Sequence, residues 1–428
     1  MTALRDARPS PHDARRQAAQ DMAAAEIAAR EVSDRAEGEA YVASVCFKHG
    51  PPRLLGVELE YTVHDAVDPG LPLSRTRLAD ALGPYAPRTL VPDSPEQPLP
   101  AGSTFTLEPG GQAEISTAPH SSFRALCEAA DADLAYVADL LAATGLRLGS
   151  RGIDPFRPPK RLLHTPRYAA MERRFAPAGT GGITMMCSTA ALQVCVDTGQ
   201  PHELPHRWAA AHALGPVLLA LFANSRWHAG IDTGCASARW LAVMDTDTCR
   251  TAAQRTGGDP AEAWARRVLY TPLLLLRRDD GPWDAPSEVT FADWIDGGGA
   301  ATSLPRPTLA DLDYHLTTLF TPVRPHGYLE LRYLDAQPLE SWEHPVALLA
   351  ALFSRQSLVE SVLEVCEPVA DRWSEAARHG LGDPRIAAAA RTIADLGCSA
   401  LSSLDLPEHR IVHIADAVDR RLRRGERK

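Results

Sequence analysis

Two acidic residues near position 58 have the spacing of side chains that project from one face of a β-strand. In Leu54–Val63, a strand period of two places Glu58 and Glu60 on one face and apolar residues on the other. Alternation of this kind, taken alone, is more typical of a solvated outer face. A pair of adjacent carboxylates could also bind a metal ion, so the context of the other acidic segments matters.

A second acidic pair flanks a turn rich in glycine. Glu108 precedes Pro109-Gly110-Gly111, and Glu114 follows this turn on a segment that again alternates polar and apolar residues. Such a turn suits a backbone that approaches a ligand closely, although a plain hairpin explains the glycines equally well.

Two more predicted strands carry polar groups in an apolar context. Gln193, Cys195 and Asp197 share one face of their strand, and Glu330 and Arg332 share one face of another. Oxygen ligands without histidine or cysteine companions suit Mg²⁺ or Mn²⁺ rather than zinc. Such ions bridge nucleotide phosphates and neutralise charge during phosphoryl transfer. Arg332 would then supply the cation that a lysine supplies in P-loop enzymes.

Composition excludes several other classes of function. The chain has 428 residues, 45% of them hydrophobic, and a formal net charge of -10, which argues against a protein that mainly binds nucleic-acid backbone. Its only lysines are Lys48, Lys160 and Lys428, and none of them follows a glycine. A Walker A phosphate loop is therefore excluded.

Two further motifs fail on local grounds. The string His202-Glu203-Leu204-Pro205-His206 matches the zincin pattern, but Pro205 would break the single helix that this pattern requires. Pro205 is instead typical of the first turn of a following helix. The glycine-rich segment 179–182 lacks the third glycine of a dinucleotide fingerprint and precedes a strand-like run, so we expect a mobile loop there.

The cysteines and the N-terminus indicate a cytoplasmic protein. The eight cysteines form no CxxC pair and are typical of reduced thiols. The N-terminal segment contains early acidic residues and no apolar h-region, so we expect no signal peptide. The longest apolar stretch, 209–223, is too short to span a bilayer, so we expect no membrane segment.

The order of predicted elements favours an α+β fold. Residues 1–37 are rich in Ala, Arg, Asp and Glu and predict a solvated helix or loosely held arm. Residues 38–344 mix short strands with helices such as 122–144 and 206–223, which predicts one α+β domain. Residues 345–428 predict a helical layer packed on that domain, with helices at 346–366, 368–380, 384–397 and 409–424.

Several blocks of sequence resemble the plant-type and actinobacterial glutamate–cysteine ligases. The segments GVELEYT, LEPGGQAEIS and YHLTTLFTPVRPHGYLELRYLDAQP carry the resemblance, within blocks that run in family order from residue 53 to 338. The last segment is especially similar to the actinobacterial enzymes of ergothioneine biosynthesis. The resemblance implies a glutamine-synthetase-like catalytic domain whose curved antiparallel sheet forms a funnel. It also implies ATP-dependent joining of the glutamate γ-carboxylate to the cysteine amine.

The resemblance also assigns roles to individual residues. It places metal ligands at Glu58, Glu60, Glu108, Glu114, Gln193 and Glu330. Arg332 falls on the phosphate-contacting arginine, and Arg239 falls on the arginine that holds glutamate. Met185, Met186 and Thr189 fall in the segment that lines the amino-acid pocket. Relatives usually have an asparagine where this chain has Cys195, so a hydrogen bond of that asparagine is missing or replaced here.

The expected small-molecule partners are therefore glutamate, cysteine and ATP, with Mg²⁺ or Mn²⁺ as the metal. Two alternatives stay open. An enzyme of the same superfamily could join glutamate to a different amine, since amine pockets differ by a few side chains. A catalytically silent homologue could bind nucleotide alone, although such a copy would be free to lose the metal-position residues.

Overall fold

The computed structural model describes residues 25–254 and 257–425. Its strands are β1 Leu55–Tyr61, β2 Val63–Asp65, β3 Thr104–Leu107, β4 Ala113–Ser116, β5 Leu146–Leu148, β6 Ala191–Val196, β7 Trp227–His228, β8 Ile231–Asp232, β9 Val323–Pro325 and β10 Leu329–Asp335. Six of them form one antiparallel sheet in the order β3-β4-β1-β6-β10-β9. The strands β2 and β5 form a separate pair, as do β7 and β8.

Helices surround this sheet. They are α1 Arg35–Cys46, α2 Arg75–Leu82, α3 Phe123–Ala143, α4 Pro166–Phe175, α5 Gly181–Ser188, α6 Leu204–Leu221, α7 Ala238–Met244, α8 Thr248–Thr251, α9 Pro260–Tyr270, α10 Phe291–Asp296, α11 Leu309–Leu316, α12 Glu343–Leu352, α13 Gln356–Cys366, α14 Trp373–His379, α15 Pro384–Ala400 and α16 Glu408–Gly425. The helices expected at 122–144 and 206–223 are present as α3 and α6, with bounds that differ by one or two residues.

The sheet register aligns polar residues from neighbouring strands on one face. Glu60 of β1 lies directly opposite Glu114 of β4, and Glu58 lies opposite Gln193 of β6. The alternate residues of β1, such as Val57 and Leu59, are buried in the core. Since side chains alternate across a strand, one face of the sheet contributes to the hydrophobic core and the other carries the site.

Helix α6 passes through the core and is buried along nearly its whole length. Pro205 stands in its first turn, as expected, because the nitrogen at that position needs no intrahelical partner. Gly215 permits close packing, since a Cβ there would lie 1.8 Å from Trp373 of α14. The C-terminal helices thus share a continuous core with the rest of the chain, which extends from Val32 to Val418.

Two sequence predictions of secondary structure are wrong. The strand-like run after residue 182 is helix α5, which begins at Gly181, because a short apolar run does not by itself distinguish a helix from a buried strand. The helix expected over 346–366 is two helices, α12 and α13, since the backbone is extended at Arg355. The break leaves the Phe353 carbonyl free to accept a hydrogen bond from Arg207 Nη1 at 3.1 Å.

The first 24 residues of the predicted arm lie outside the described part of the chain. Near its end, Val32 is fully buried and donates its N–H to the Pro307 carbonyl at 2.9 Å. Among the described residues, no single helix is long and apolar enough to cross a membrane. The bent pair Glu343–Leu352 and Gln356–Val369, with an angle of 107°, meets the length and composition criteria jointly.

Candidate active site

A cavity of about 760 Å³ opens above the polar face of the sheet. Its wall contains most of the residues expected to form a site: Glu58, Glu60, Glu108, Glu114, Met185, Met186, Thr189, Gln193, Arg239 and Arg332. The remaining predicted ligand, Glu330, is only 1% exposed and lies beneath Arg332. The structure therefore brings all of the predicted positions together, from β1, the β3–β4 hairpin, α5, β6, α7 and β10.

The β3–β4 hairpin orients one wall of the cavity. Glu108 follows β3, and its carbonyl accepts the N–H of Gly111 at 2.8 Å, so the glycines form a hairpin turn. A Cβ on Gly110 would lie 2.2 Å from the Cys187 carbonyl oxygen. This glycine therefore allows close approach to the backbone of α5 rather than to a ligand. The Gln112 amide donates to the Thr189 carbonyl at 2.8 Å and so ties the hairpin to the same helix end.

Glu60 and Glu114 accept hydrogen bonds from neighbouring groups. The Glu60 carboxylate accepts from the Ala191 N–H and from Gln193 Nε2, both at 2.7 Å. Glu114 accepts from the Thr106 hydroxyl at 2.7 Å. These bonds fix the carboxylates while leaving further oxygen lone pairs on the cavity side.

Three cavity carboxylates lack sufficient positive charge around them. Burial and the neighbouring charges of Glu114 and Glu60 raise the pKa of Glu108 to about 8. Burial, together with Glu330 and Glu114, raises the pKa of Glu58 well above its usual range. Burial and Glu60 also raise the pKa of Glu114. Carboxyl groups that are this costly to ionise favour binding of a cation, which would stabilise their ionised forms.

Two arginines hold Glu330 in its ionised form. Arg324 donates to both of its oxygens, at 2.6 and 3.1 Å, and Arg332 Nη1 donates to one of them at 2.9 Å. Burial opposes ionisation of Glu330, but the two guanidinium groups outweigh it and lower its pKa to about 2. Arg332 Nη1 also donates to Gln193 Oε1. Among the residues that the structure describes, none accepts a hydrogen bond from Arg332 Nε or Nη2, so these donors are available to a ligand.

A β-bulge determines the position of Arg332. Leu331 pairs with Val194 and Leu334 with Leu192, so Arg332 and Tyr333 together stand opposite the single residue Gln193. Bulges of this kind bend a strand and redirect a side chain. Arg239 donates to the carbonyls of both bulged residues, at 2.6 Å to Arg332 and 3.3 Å to Tyr333. The predicted glutamate-holding arginine is thus also bonded to the strand that carries Arg332.

The donor set fits a hard divalent cation in its chemistry, although the ligands are not assembled around one point. Within the described residues, no group of three His, Cys, Asp or Glu side chains has the arrangement of a metal centre. Gln193 Oε1 and both Glu330 oxygens are engaged by arginines. The oxygens that remain directed at the cavity belong to glutamates from three separate segments of the sheet, namely Glu58, Glu60, Glu108 and Glu114. Such an all-oxygen, anionic set is the kind that Mg²⁺ and Mn²⁺ prefer.

Sequence reasoning missed several residues of the cavity wall. Arg324 lies in the VRP segment and Lys48 follows α1, while Arg167 and Tyr168 lie on α4. Arg324, Arg167 and Tyr168 each had a usable signal, because they sit in segments that carry the family resemblance, whereas Lys48 had none. Asp197 does not reach the cavity; its carboxylate caps the N–H groups of Arg53 and Leu54, at 2.7 and 2.8 Å.

A second cavity of about 800 Å³ adjoins the first. Both cavities have Lys48, Glu58 and His326 in their walls. The second also has Cys195 and Gly56 in its wall. Glu58 therefore lies at the junction between two spaces, of which only the first contains the Met185–Thr189 wall.

The family model described as Glutamate-cysteine ligase family 2 (GCS2) matches residues 54–427. The chain belongs to this family. The resemblance expected from the sequence is thereby confirmed, and the match extends through the C-terminal helices, beyond the blocks that first indicated it.

Relatives of this glutamate–cysteine ligase family match most of the chain. It is 38% identical over 367 residues to the glutamate–cysteine ligase EgtA of Mycolicibacterium smegmatis, over 85% of this chain and 84% of that protein. It is 36% identical over 400 residues to EgtA of Mycobacterium tuberculosis, over 91% and 88%.

A crystal structure of a glutamate–cysteine ligase from Francisella tularensis in complex with AMP superposes with a TM-score of 0.50 at 12% identity. The match covers 89% of this chain and 82% of that one. At this identity the similarity concerns the fold alone, and it confirms the predicted α+β architecture around an antiparallel sheet.

Proposed function

We propose that the protein joins the γ-carboxylate of L-glutamate to the amine of L-cysteine at the expense of ATP. The product, γ-glutamylcysteine, would enter ergothioneine biosynthesis in the cytoplasm. The observation that carries the proposal is one cavity that brings glutamates from β1 and the β3–β4 hairpin, buried or half-buried, together with Arg332, Arg239 and Thr189 in the same wall. The relatives named above, with the activity their names state, cover most of this chain.

We propose that the cavity carboxylates bind Mg²⁺, or Mn²⁺ in its place. Glu58, Glu60, Glu108 and Glu114 would hold the metal, and the resemblance adds Gln193 and Glu330 to the set. When bound, the metal neutralises phosphate charge and orients the nucleotide. The excess of buried carboxylate, which raises the pKa values of Glu58, Glu108 and Glu114, supports this assignment because a cation would stabilise their ionised forms.

The two cavities suggest how the substrates divide the space. We propose that glutamate lies between Arg239 and the Met185–Thr189 wall, where the guanidinium can supply a charge-assisted hydrogen bond to a carboxylate. The adenosine part of ATP would lie in the second cavity, with its phosphates near Lys48 at the junction. The phosphates would then reach Arg332 from one side and the glutamate γ-carboxylate from the other.

The reaction itself would proceed in two steps. The glutamate γ-carboxylate attacks the γ-phosphate of ATP and forms an acyl phosphate with release of ADP. The cysteine amine then attacks the acyl carbon, and phosphate leaves. Negative charge moves in both steps, so the unoccupied donors of Arg332 can stabilise the transferring phosphoryl group by hydrogen bonds that strengthen as charge develops.

We propose two structural units for this reaction: a catalytic domain over 38–344 and a helical layer over 345–428, preceded by the arm at 1–37. Contacts within the described residues support a functional link between the two units. Trp373 of α14 packs against Trp240 of α7 at 5.5 Å and against Tyr333 of the bulge at 5.6 Å. The helical layer thereby packs against the strand that carries Arg332.

An amine panel tests the proposed function. Purified protein would be incubated with glutamate, ATP and Mg²⁺, and ADP release would be measured with cysteine, serine, 2-aminobutyrate and a polyamine. We expect cysteine to give the highest kcat/KM. Faster turnover with the polyamine would favour the alternative of a related γ-glutamyl ligase, and ATP binding without turnover on any amine would favour a silent homologue.

A further inference from the structure

A buried polar cluster lies immediately behind the wall of the active-site cavity. We call it the Asp335 cluster; it consists of Asn224, Ser225, Ser237, Arg239 and Asp335. The Asp335 side chain is fully buried and accepts three hydrogen bonds: from the Asn224 N–H at 2.7 Å, from the Ser225 hydroxyl at 2.7 Å and from the Ser237 hydroxyl at 2.8 Å. This concentration of donors on one carboxylate fixes its position closely.

The cluster contains the counter-charge for Arg239. Arg239 is only 4% exposed, and its Nη1 lies 3.6 Å from Asp335 Oδ1. A buried guanidinium requires a nearby negative charge, because removal of its partner leaves an uncompensated charge in the interior. Ser225 also accepts the backbone N–H of Arg239 at 3.2 Å, so the cluster fixes both the main chain and the side chain of this residue.

Arg239 connects the Asp335 cluster to strand β10 by hydrogen bonds. Its guanidinium donates to the carbonyls of Arg332 and Tyr333, the two residues that the bulge places opposite Gln193. Those carbonyls lie where the regular ladder is interrupted, and Arg239 supplies each of them with a hydrogen-bond donor. Arg239 thus connects Asp335 to the backbone at Arg332, the residue whose side chain lines the cavity.

The C-terminal helices brace the same cluster. The Ser237 N–H donates to the Ala377 carbonyl of α14 at 2.8 Å. Gln337 Nε2 donates to the Asp335 carbonyl at 2.8 Å, and Gln337 in turn accepts a hydrogen bond from Arg421 of α16. The helical layer thus holds the cluster from the side opposite to the cavity.

We propose that Asp335 is a positioning residue for phosphoryl transfer, which acts through Arg239 and the β10 bulge to direct Arg332 into the cavity. This inference rests on the proposed function. Asp335 itself does not line the cavity, whose wall includes Arg239 and Arg332. At saturating glutamate, where a change in glutamate binding by Arg239 does not contribute, its effect on kcat should therefore depend on the presence of the Arg332 guanidinium, whereas a residue that only stabilises the fold has no such dependence.

A double-mutant cycle tests this dependence. Asp335→Asn keeps the shape of the side chain and removes its charge, and it would be made both in the natural chain and together with Arg332→Lys. We expect Asp335→Asn to lower kcat roughly tenfold in the natural chain and less than about twofold in the Arg332→Lys background. The KM for ATP should change by less than about threefold in the single variant. A loss of kcat that multiplies fully in the second background would overturn the proposal.

Asp133 supplies a matched control. Asp133 lies on helix α3 and is as fully buried as Asp335. Its carboxylate accepts hydrogen bonds from the N–H groups of Ala101 and Ser103, at 2.7 and 3.0 Å. Asp133→Asn should lower the melting temperature by an amount comparable to Asp335→Asn and leave kcat within about twofold of the natural value. An equal loss of kcat in the Asp133 variant would mean that reduced stability, not positioning, explains both.

Two other outcomes of the mutant cycle, a variant that does not fold and a natural chain that is inactive with cysteine, have their own measurements. If Asp335→Asn does not fold, Ser225→Ala removes one hydrogen bond to Asp335 with its charge intact, and the same non-additivity with Arg332→Lys is expected. If the natural chain shows no turnover with cysteine, the proposed amine is wrong, and the cycle is measured with the amine that releases ADP fastest. Full activity of Asp335→Asn in an active protein would contradict the positioning role alone.

Discussion

Replacement of Arg332 by lysine separates a catalytic guanidinium from one that only pairs with Glu330. The Arg332 Nη1 atom binds Glu330 and Gln193, while Nε and Nη2 are free of described partners. A lysine at this position can still pair with Glu330, but it lacks the planar fork that holds two phosphoryl oxygens. A charge-assisted hydrogen bond contributes about 1.5–3 kcal/mol, and a tenfold change in rate corresponds to about 1.4 kcal/mol. Loss of one such bond in the transition state therefore predicts a roughly ten- to hundredfold lower kcat.

Steady-state kinetics with varied ATP provide the assay for Arg332→Lys. We expect the KM for ATP to change by less than about threefold, because the lost bond strengthens as charge spreads over the transferring group. The matched control is Arg173→Lys, since Arg173 makes a similar two-point pairing with Asp284 at the surface, at 2.8 and 2.7 Å. An unchanged kcat, or a rise in KM with kcat preserved, would refute the transition-state role of Arg332.

Four other perturbations have defined outcomes. Glu58→Gln should abolish ligation and raise the melting temperature of the metal-free protein, since it removes a carboxylate whose pKa is raised by burial and by Glu330. Glu60→Ala should also abolish ligation, but it should lower the free energy of unfolding by about 1–3 kcal/mol, because it leaves the Ala191 N–H without its acceptor. His212→Leu should protect the protein against acid. Burial lowers the pKa of His212 to about 3, so the natural chain loses stability as pH falls below about 6.5. Between pH 7.5 and pH 5, the free energy of unfolding from urea titrations should therefore change by about 2 kcal/mol in favour of the variant. A zinc-selective chelator should leave ADP release unchanged in excess Mg²⁺; loss of activity together with stoichiometric zinc would contradict the all-oxygen site.

The acidic face of the sheet was accessible from the sequence because strand periodicity is local. The alternation around Glu58 and Glu60 predicted their common face, and the structure confirms it. The placement of Pro205 in the first turn of α6 was accessible for the same reason, since it depends on backbone chemistry within one turn. Strand periodicity and the preference of proline for the first helical turn could be applied wherever one short segment determines the structure.

The remaining features depend on contacts between distant segments. The bulge at Arg332 and Tyr333 is a matter of register against β6, which no local pattern specifies. The bonds from Arg324 to Glu330 need two strands to be paired first. Helix α5 was mistaken for a strand because its apolar run is short, and its helical state is compatible with close packing of Gly182 on Phe175.

Isotope transfer from glutamate tests the central claim most directly. Glutamate labelled with oxygen-18 in its γ-carboxylate would be incubated with the purified protein, cysteine, ATP and Mg²⁺, and the product and the released phosphate would be analysed by mass spectrometry. Formation of an acyl phosphate predicts γ-glutamylcysteine in equal amount to ADP, with one labelled oxygen in each phosphate released. Product without label in the phosphate, or labelled phosphate without γ-glutamylcysteine, would contradict the account.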